Sequence, residues 1–210
     1  MKKAVIFDLD GVLVHTDKFH YLAWKSLADS LGIYFDETVN NRCRGVSRMD
    51  SLEIVLAASD KQYTQEQKLA FAEQKNEIYK QYLATMTPAD VSDDVARTLV
   101  ELKRRGILIA VGSSSKNTKL ILRQVGLSDA FDAVADGTMI SHSKPDPEVF
   151  LRAATLLGVA AEDCAVVEDA VAGIEAGKAA DMETFAVGDA AKANIADHNL
   201  TALSDMLALI

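Results

Sequence analysis

From residue 91 onward the sequence alternates between short apolar runs and longer amphipathic segments, and this alternation limits the folds open to the chain. The apolar runs predict strands near 107–111, 133–135, 165–167 and 184–187. The intervening segments predict helices near 93–105, 117–125, 147–157 and 170–179, with a last short helix near 201–209. Strands and helices that alternate in this way form parallel sheets covered by helices. The sequence therefore predicts an α/β fold with a Rossmann-like parallel sheet.

A further strand opens the chain and ends in charged residues. The apolar run that begins at Val5 continues directly into Asp8, Asp10 and Gly11. Open α/β sheets bind ligands beyond the carboxyl ends of their strands, and side chains two residues apart on a strand share a face. Asp8 and Asp10 can therefore converge on one metal ion and one phosphoryl group, while Gly11 lets the backbone turn away. Taken alone, these residues also fit an ordinary acidic turn after a strand.

The stretch from 16 to 82 separates this first strand from the rest of the predicted sheet, and its pattern is helical throughout. Helices are predicted over 17–31, about 36–42, about 47–59 and 64–83, with Thr16 and Ser47 as N-terminal caps. The chain thus divides into an α/β core of residues 1–15 and 83–210 and a helical domain of residues 16–82. We expect the helical domain to be a mobile cap that excludes water from the strand end.

Two other predicted strand ends and one loop carry residues suited to binding phosphate or a cation. A run that follows the strand 107–111 and precedes a helix consists of Ser113, Ser114, Ser115, Lys116 and Asn117. Its hydroxyls, backbone amides and helix N-terminus can all bond phosphate oxygens. Lys144 offers a positive charge, and Glu168 and Asp169 end the strand 165–167 as a second acidic pair. Taken singly, serines and acids also cap helices, and lysines are usually solvated.

The order of these four groups along the chain resembles the haloacid dehalogenase superfamily, and the resemblance covers the whole chain. The superfamily's four motifs match Asp8-x-Asp10, Ser113, Lys144 and Glu168-Asp169. The resemblance implies that Asp8 is the nucleophile that attacks phosphorus and that Asp10 is the general acid/base. It also implies that Ser113 and Lys144 hold the phosphoryl oxygens. The implied cofactor is Mg²⁺, bound among Asp8, Asp10, Glu168 and Asp169. A covalent step with charge neutralisation suits phosphate esters, whose uncatalysed reactions are very slow.

Two segments of the helical domain resemble the β-phosphoglucomutase family within this superfamily. These segments are the loop Arg44-Gly45-Val46-Ser47-Arg48 and the pattern Thr16-x-x-x-His20-x-x-x-Trp24. The resemblance implies that His20 couples cap closure to Asp10 and that Arg48 grips the distal phosphate of a sugar. The implied phosphate- and substrate-binding set is Thr16, His20, Trp24, Arg44, Gly45, Val46, Ser47, Arg48, Lys75, Ser113, Ser114, Ser115, Lys116, Asn117 and Lys144. Without the resemblance, His20 fits a surface histidine, Trp24 fits the core of the cap, and Arg48 fits a solvated arginine.

The resemblance implies a Mg²⁺-dependent phosphohexomutase that interconverts β-D-glucose 1-phosphate and glucose 6-phosphate. The reaction would pass through a phosphorylated Asp8 and a glucose 1,6-bisphosphate intermediate. His15 stands where the family usually has an aspartate and Arg44 where it commonly has a lysine, which leaves the choice of sugar open. One alternative is a sugar-phosphate phosphatase, against which the loop at 44–48 argues. The other is a phospho-sugar-binding regulator without turnover, which would need no nucleophile such as Asp8.

Composition restricts the partners that the chain can have. The formal net charge is −9 at pH 7, whereas nucleic acids and anionic membranes are bound by basic surfaces. We therefore expect neither nucleic acid nor membrane as a partner, and the resemblance implies small-molecule sugar phosphates. Asp8 interrupts the first apolar run too early for a signal peptide, so we expect a cytoplasmic protein. Cys43 and Cys164 are expected to be free thiols, and a cap that must open freely favours a monomer.

Overall fold

The computed structural model describes residues 2–43 and 46–210, so Met1, Arg44 and Gly45 lie outside the described residues. The chain separates into two compact units by its internal contacts. The first unit consists of residues up to 15 together with 86–210, and the second consists of residues 16–85. Among the described residues, no helix combines the length and the apolar character needed to span a lipid bilayer.

Within the described residues, the first unit is built on a parallel sheet of six strands. These are β1 (Ala4–Phe7), β2 (Leu108–Gly112), β3 (Ala133–Ala135), β4 (Cys164–Glu168), β5 (Glu183–Ala186) and β6 (His198–Asn199). Their order across the sheet is β3-β2-β1-β4-β5-β6, and every neighbouring pair is parallel. All residues of β1 and β4 are buried, as expected for strands covered on both faces. The predicted α/β fold with a parallel sheet is confirmed.

The register of the strands places three strand ends at one edge of the sheet. Phe7, the last residue of β1, is paired with Val111 on β2 and with Val167 on β4. Asp8 therefore follows β1 at the level where β2 ends at Gly112 and β4 ends at Glu168. Because the strands are parallel, the side chains that follow them collect at the same edge.

The second unit is helical. Its helices are α1 (Asp17–Leu31), α2 (Glu37–Arg42), α3 (Arg48–Leu56) and α4 (Gln65–Leu83). They enclose a hydrophobic cluster that includes Trp24 and Leu52. Ser47 caps α3 as predicted, since its hydroxyl accepts a backbone N–H from the first turn. Thr16 occupies the predicted N-cap position of α1, but its side chain makes no capping hydrogen bond, and its Oγ1 accepts a hydrogen bond from Tyr79.

Helices connect the strands of the first unit. They are α5 (Asp93–Arg104), α6 (Thr118–Gln124), α7 (Glu148–Leu157), α8 (Val171–Ala179) and α9 (Gly188–Ala193). The sequence pattern predicts neither α9 nor β6, because α9 is short and has no apolar periodicity, and β6 exists only by pairing with β5. The predicted last helix near 201–209 is a 3₁₀ helix over Leu203–Ala208.

Candidate active site

Asp8 and Lys144 form a buried ion pair at the sheet edge where β1, β2 and β4 end. Asp8 is 7% exposed, and its Oδ1 lies 2.5 Å from Nζ of Lys144. The same ammonium group lies 2.5 Å from Oε1 of Glu168, which is 1% exposed. Lys144 comes from the loop between β3 and α7, so a distant part of the chain supplies the positive charge. Three of the predicted site residues thus meet in one cluster.

Burial and mutual charge control the protonation of this cluster. Burial raises the pKa of the Asp8 carboxyl well above its usual range; Lys144 opposes this shift, while the charges of Glu168 and Asp10 add to it. For Lys144, burial lowers the pKa, but the carboxylates of Asp8 and Glu168 outweigh burial and raise it above the ordinary value. Lys144 therefore stays protonated. The surplus of carboxylates over this one ammonium group favours the binding of an additional cation.

Asp169 completes a group of three carboxylates around this edge. Asp8, Glu168 and Asp169 each present an oxygen within 4.8 Å of the other two. The Oε2 atom of Glu168 accepts hydrogen bonds from the backbone N–H groups of Asp169 and Ala170, both at 2.9 Å. These bonds fix the orientation of the Glu168 carboxylate. A set of converging carboxylate oxygens is what hard divalent cations prefer, so the residues present fit such an ion.

Asp10 and Gly11 lie in the turn that follows β1. Gly11 has a φ of +88°, and a Cβ atom at this position would lie 2.1 Å from Oδ2 of Asp169. Glycine is therefore required here both by the backbone conformation and by the close approach of Asp169. Asp10 is half-buried and does not belong to the carboxylate group formed by Asp8, Glu168 and Asp169. Its assignment as a fourth metal ligand stays a prediction.

The loop after β2 is held in shape by its own hydroxyl groups. Oγ of Ser113 accepts from the backbone N–H of Ser115 at 3.1 Å, and Oγ of Ser115 accepts from that of Asn117 at 3.2 Å. Ser113 and Asn117 are buried, Ser114 and Ser115 are half-buried, and Lys116 is exposed. Oγ of Ser114 is buried and has no hydrogen-bond partner among the described residues. An unpaired buried hydroxyl is costly, and the assignment of Ser114 to phosphate binding stays a prediction.

In the helical unit, His20, Lys75 and Tyr79 form a second polar cluster. Lys75 is 3% exposed, and its Nζ lies 2.9 Å from Nδ1 of His20. The same atom lies 4.7 Å and 4.6 Å from the ring centroids of Trp24 and Tyr79. Because an ammonium group can only donate, Nδ1 of His20 accepts, and the ring proton lies on Nε2. Trp24 is buried in the core of this unit, and its predicted contact with substrate stays a prediction.

We expect the stability of the protein to depend on pH through His20 of this cluster. Burial, followed by the charges of Lys75 and Arg48, lowers the pKa of His20 well below 6.5. Below pH 6.5 the unfolded chain takes up this proton and the folded protein does not. We therefore expect the free energy of unfolding to fall on acidification, by at most about 1.4 kcal/mol per pH unit. His20→Gln should remove this part of the slope, and urea unfolding of both proteins between about pH 5 and 8 would measure it. Equal slopes would contradict the expectation.

Arg48, at the start of α3, is held by residues of α4. Its Nη2 donates to Oδ1 of Asn76 at 2.9 Å, and its Nη1 lies 3.7 Å from Oε2 of Glu73. The Arg48 side chain is still 29% exposed, so part of the guanidinium group is accessible to a ligand. Asn76 is not among the predicted site residues, although it directly follows the predicted Lys75 on α4. Within the predicted loop 44–48, Val46 is exposed and Ser47 caps α3; Arg44 and Gly45 lie outside the described residues.

A second group of possible metal ligands lies at the start of α7. It consists of His142, Asp146 and Glu148. Oε2 of Glu148 accepts from the backbone N–H groups of Ser141 and His142, at 2.9 Å and 2.7 Å. Oδ1 of Asp146 accepts from the backbone N–H of Glu148 at 2.9 Å. These hydrogen bonds order the chain where it enters α7. They account for the closeness of the three residues, so no cation is needed to explain it.

Comparison with known proteins connects this arrangement to an enzyme family. A model of haloacid dehalogenase-like hydrolases matches residues 2–181. The chain is 44% identical to a β-phosphoglucomutase of Bacillus subtilis over 89% of this chain and 82% of that protein. It is 30% identical to a phosphorylated carbohydrates phosphatase of Thermotoga maritima over 86% of this chain and 82% of that protein.

The fold comparison agrees with the sequence comparison. A crystal structure of β-phosphoglucomutase from Clostridium difficile matches with a TM-score of 0.91 and 36% sequence identity, covering 98% of this chain and 93% of that chain. The resemblance inferred from the four motifs is therefore confirmed. The chain belongs to the haloacid dehalogenase-like hydrolase family, and within it to the β-phosphoglucomutases.

Proposed function

We propose that the protein is a phosphohexomutase that interconverts β-D-glucose 1-phosphate and glucose 6-phosphate. The observation that carries this proposal is the buried cluster of Asp8, Lys144 and Glu168 in a chain 44% identical to a β-phosphoglucomutase. In the first half-reaction, the phosphoryl group of phosphorylated Asp8 is transferred to the 6-hydroxyl of β-glucose 1-phosphate. This gives glucose 1,6-bisphosphate. In the second, Asp8 takes the phosphoryl group from the 1-position, and glucose 6-phosphate leaves.

Asp8 supplies the nucleophile. A carboxylate oxygen attacks phosphorus, and the sugar oxygen departs with the electron pair of the broken P–O bond. The approach of a carboxylate to a phosphoryl group brings negative charges together, and the Lys144 ammonium at 2.5 Å from Asp8 offsets this repulsion. Ser113 holds a phosphoryl oxygen in this proposal, and its position directly after β2 supports the role.

Asp10 acts as the general acid and base. It gives a proton to the departing sugar oxygen in one direction and takes the proton of the attacking hydroxyl in the other. A positioned acid/base of this kind contributes about 10²- to 10⁴-fold in rate. Its place in the turn after β1, two residues beyond Asp8, supports this division of roles.

Enzymes of this family use a divalent metal ion, and the three carboxylates of Asp8, Glu168 and Asp169 fit one. We assign it as Mg²⁺, because the converging ligands are all oxygen atoms. When bound, the ion supplies charge stabilisation to the transferring phosphoryl group. The ion and Lys144 together would carry three positive charges, enough to offset the three carboxylates.

The helical unit is proposed to select the sugar phosphate. Arg48 binds the distal phosphate, while Ser114, Ser115, Lys116 and Asn117 bind the ligand from the loop after β2. A mutase must transfer its phosphoryl group to a sugar hydroxyl rather than to water. Each tenfold preference requires about 1.4 kcal/mol of differential transition-state stabilisation. Binding of the distal phosphate is the source of that energy when a proper substrate is present.

The test is ³¹P NMR of the purified protein with Mg²⁺, β-glucose 1-phosphate and a trace of glucose 1,6-bisphosphate. We expect glucose 6-phosphate to accumulate with little inorganic phosphate. Inorganic phosphate as the main product would establish the second candidate, a sugar-phosphate phosphatase, which the 30% identity to the phosphatase of Thermotoga maritima favours. No change in the spectrum would overturn both assignments.

Arg48→Ala separates the mutase from simple phosphate-ester cleavage. We expect mutase flux to fall by roughly 10- to 100-fold, because a charge-assisted contact to the distal phosphate is lost. Cleavage of p-nitrophenyl phosphate, which has no distal phosphate, should change by less than about threefold, since Arg48 would make no contact with it. Arg42→Ala on α2 is the control, because Arg42 is another arginine of the helical unit and is exposed. Equal losses in both assays for Arg48→Ala would contradict the assigned role.

We propose a cytoplasmic monomer, because Asp8 interrupts the first apolar run too early for a signal peptide and because a cap must open freely. The net charge of −9 disfavours anionic polymers as partners. Sedimentation velocity with and without substrate would test the monomer.

A further inference from the structure

The conformation of Glu168 depends on the first turn of α8. Glu168 is the last residue of β4, and its side chain turns back over the start of the helix that follows. Its Oε2 bonds the backbone N–H groups of Asp169 and Ala170, and its Oε1 lies 2.5 Å from Nζ of Lys144. The carboxylate is therefore fixed at both oxygens, in a position with almost no exposure to water.

Gly173 provides the space that this conformation needs. A Cβ atom at Gly173 would lie 1.9 Å from Cδ, 2.0 Å from Oε1 and 2.5 Å from Cγ of Glu168. All three distances are far below van der Waals contact, and they involve the stem of the side chain as well as its end. The backbone of Gly173 is helical, so glycine is not needed here for its conformational freedom. Glycine inside a helix is destabilising relative to alanine, so the contact with Glu168 offers the physical reason for it.

A second glycine on the same helix provides a comparison. A Cβ atom at Gly177 would lie 2.8 Å from Cγ2 of Thr184 and 3.3 Å from Cβ of Val166. These are residues of β5 and β4 that pack beneath α8, away from the carboxylates. Gly177 therefore serves the packing of helix on sheet, whereas Gly173 contacts a side chain of the cation site.

We propose that Gly173 is a positioning residue for the divalent cation. It acts by leaving the space that the Glu168 carboxylate occupies. Any side chain at position 173 displaces Glu168 from its two backbone N–H donors or from Lys144. Either displacement separates Glu168 from Asp8 and Asp169, the other members of the carboxylate group. This inference rests on the proposed cation site and concerns the residue that shapes it.

The test is calorimetric titration of Mg²⁺ into the parent protein and into the variants Gly173→Ala and Gly177→Ala. We expect Gly173→Ala to weaken Mg²⁺ binding by about 10- to 100-fold, the usual effect of disturbing the support of a metal ligand. Gly177→Ala should lower thermal stability but leave Mg²⁺ affinity within about twofold, because its contacts lie outside the site. In metal-free protein, the amide NMR signals of Asp169 and Ala170 should shift in Gly173→Ala and stay in place in Gly177→Ala.

A double variant distinguishes displacement of the Glu168 side chain from general damage to α8. Aspartate at 168 is one methylene shorter, so Glu168→Asp should make room for a side chain at 173. Adding Gly173→Ala to Glu168→Asp should then cost little further Mg²⁺ affinity, a clear departure from additivity. The inference is overturned by wild-type affinity in Gly173→Ala, by equal weakening in Gly177→Ala, or by additive losses in the double variant. It is equally overturned if Gly173→Ala fails to fold with either residue at 168. Absence of Mg²⁺ binding in the parent protein would overturn the cation site itself.

Discussion

Replacement of Asp8 by asparagine is expected to abolish phosphoryl transfer and to leave the fold intact. The amide has the shape of the carboxylate but offers no nucleophilic oxygen, so turnover should fall by roughly 10⁴-fold or more. Burial raises the pKa of Asp8, so a neutral side chain is tolerated there, and Lys144 keeps its ion pair with Glu168. We therefore expect a thermal unfolding midpoint close to that of the parent. ³¹P NMR of turnover and circular dichroism on heating would measure both effects.

Asp10→Asn is the control that separates the nucleophile from the general acid/base. Acetyl phosphate has a leaving group that needs no protonation, so Asp10→Asn should still form phosphorylated Asp8 from it. Transfer of that group to a sugar hydroxyl should fall by about 10²- to 10⁴-fold. Intact-protein mass spectrometry would detect the added phosphoryl group. A phosphorylated protein in the Asp8→Asn variant would show that another residue is the nucleophile.

Lys144→Met should have the second large effect, on both activity and stability. Methionine occupies a similar volume, but it leaves the buried carboxylates of Asp8 and Glu168 without their shared ammonium partner. Breaking a buried ion pair by removing one partner costs about 3–5 kcal/mol, so the metal-free variant should unfold at a lower urea concentration. Turnover should fall by about 10²- to 10³-fold, because a charge aimed at the transferring phosphoryl group is lost.

Mg²⁺ provides a further test of Lys144. Without the lysine the carboxylate group is more negative, so Mg²⁺ should raise the free energy of unfolding more in Lys144→Met than in the parent. Lys119→Met is the matched control: its Nζ lies 3.8 Å from the buried Asp136, but the Lys119 side chain is 64% exposed. Removal of the Lys119 ammonium group should lower the free energy of unfolding by less than about 1 kcal/mol and leave its response to Mg²⁺ unchanged. The same Mg²⁺ response in Lys144→Met and the parent would show that the lysine does not oppose the cation.

The local pattern of the sequence was enough to predict the sheet and the acids at its edge. Buried parallel strands are apolar on both faces, so β1 and β4 stand out as continuous apolar runs. Parallel strands also end at one edge, so acids that directly follow two of them, such as Asp8 and Asp169, can be expected to meet there. The weakest local signals belonged to α9 and β6, which depend on neighbours rather than on their own residues.

The helical unit shows the limit of periodicity. Lys75 and Asn76 are polar and lie buried on α4, where pattern alone places polar residues in solvent. They are stabilised there by contacts with His20 and Arg48, which come from other helices. Such contacts join residues that are far apart in the chain. The periodicity of polar and apolar residues does not indicate which of these residues come together in space.

By itself, then, the sequence determined the α/β class, most helices and strands, and which charged and hydroxyl side chains follow the strands. These features follow from local propensity and from burial of apolar runs. Only the tertiary structure decided that Lys144 reaches Asp8 across 136 positions of the chain and that Glu168 rests on Gly173. These features depend on packing between distant segments, where differences of an ångström separate a bond from a clash.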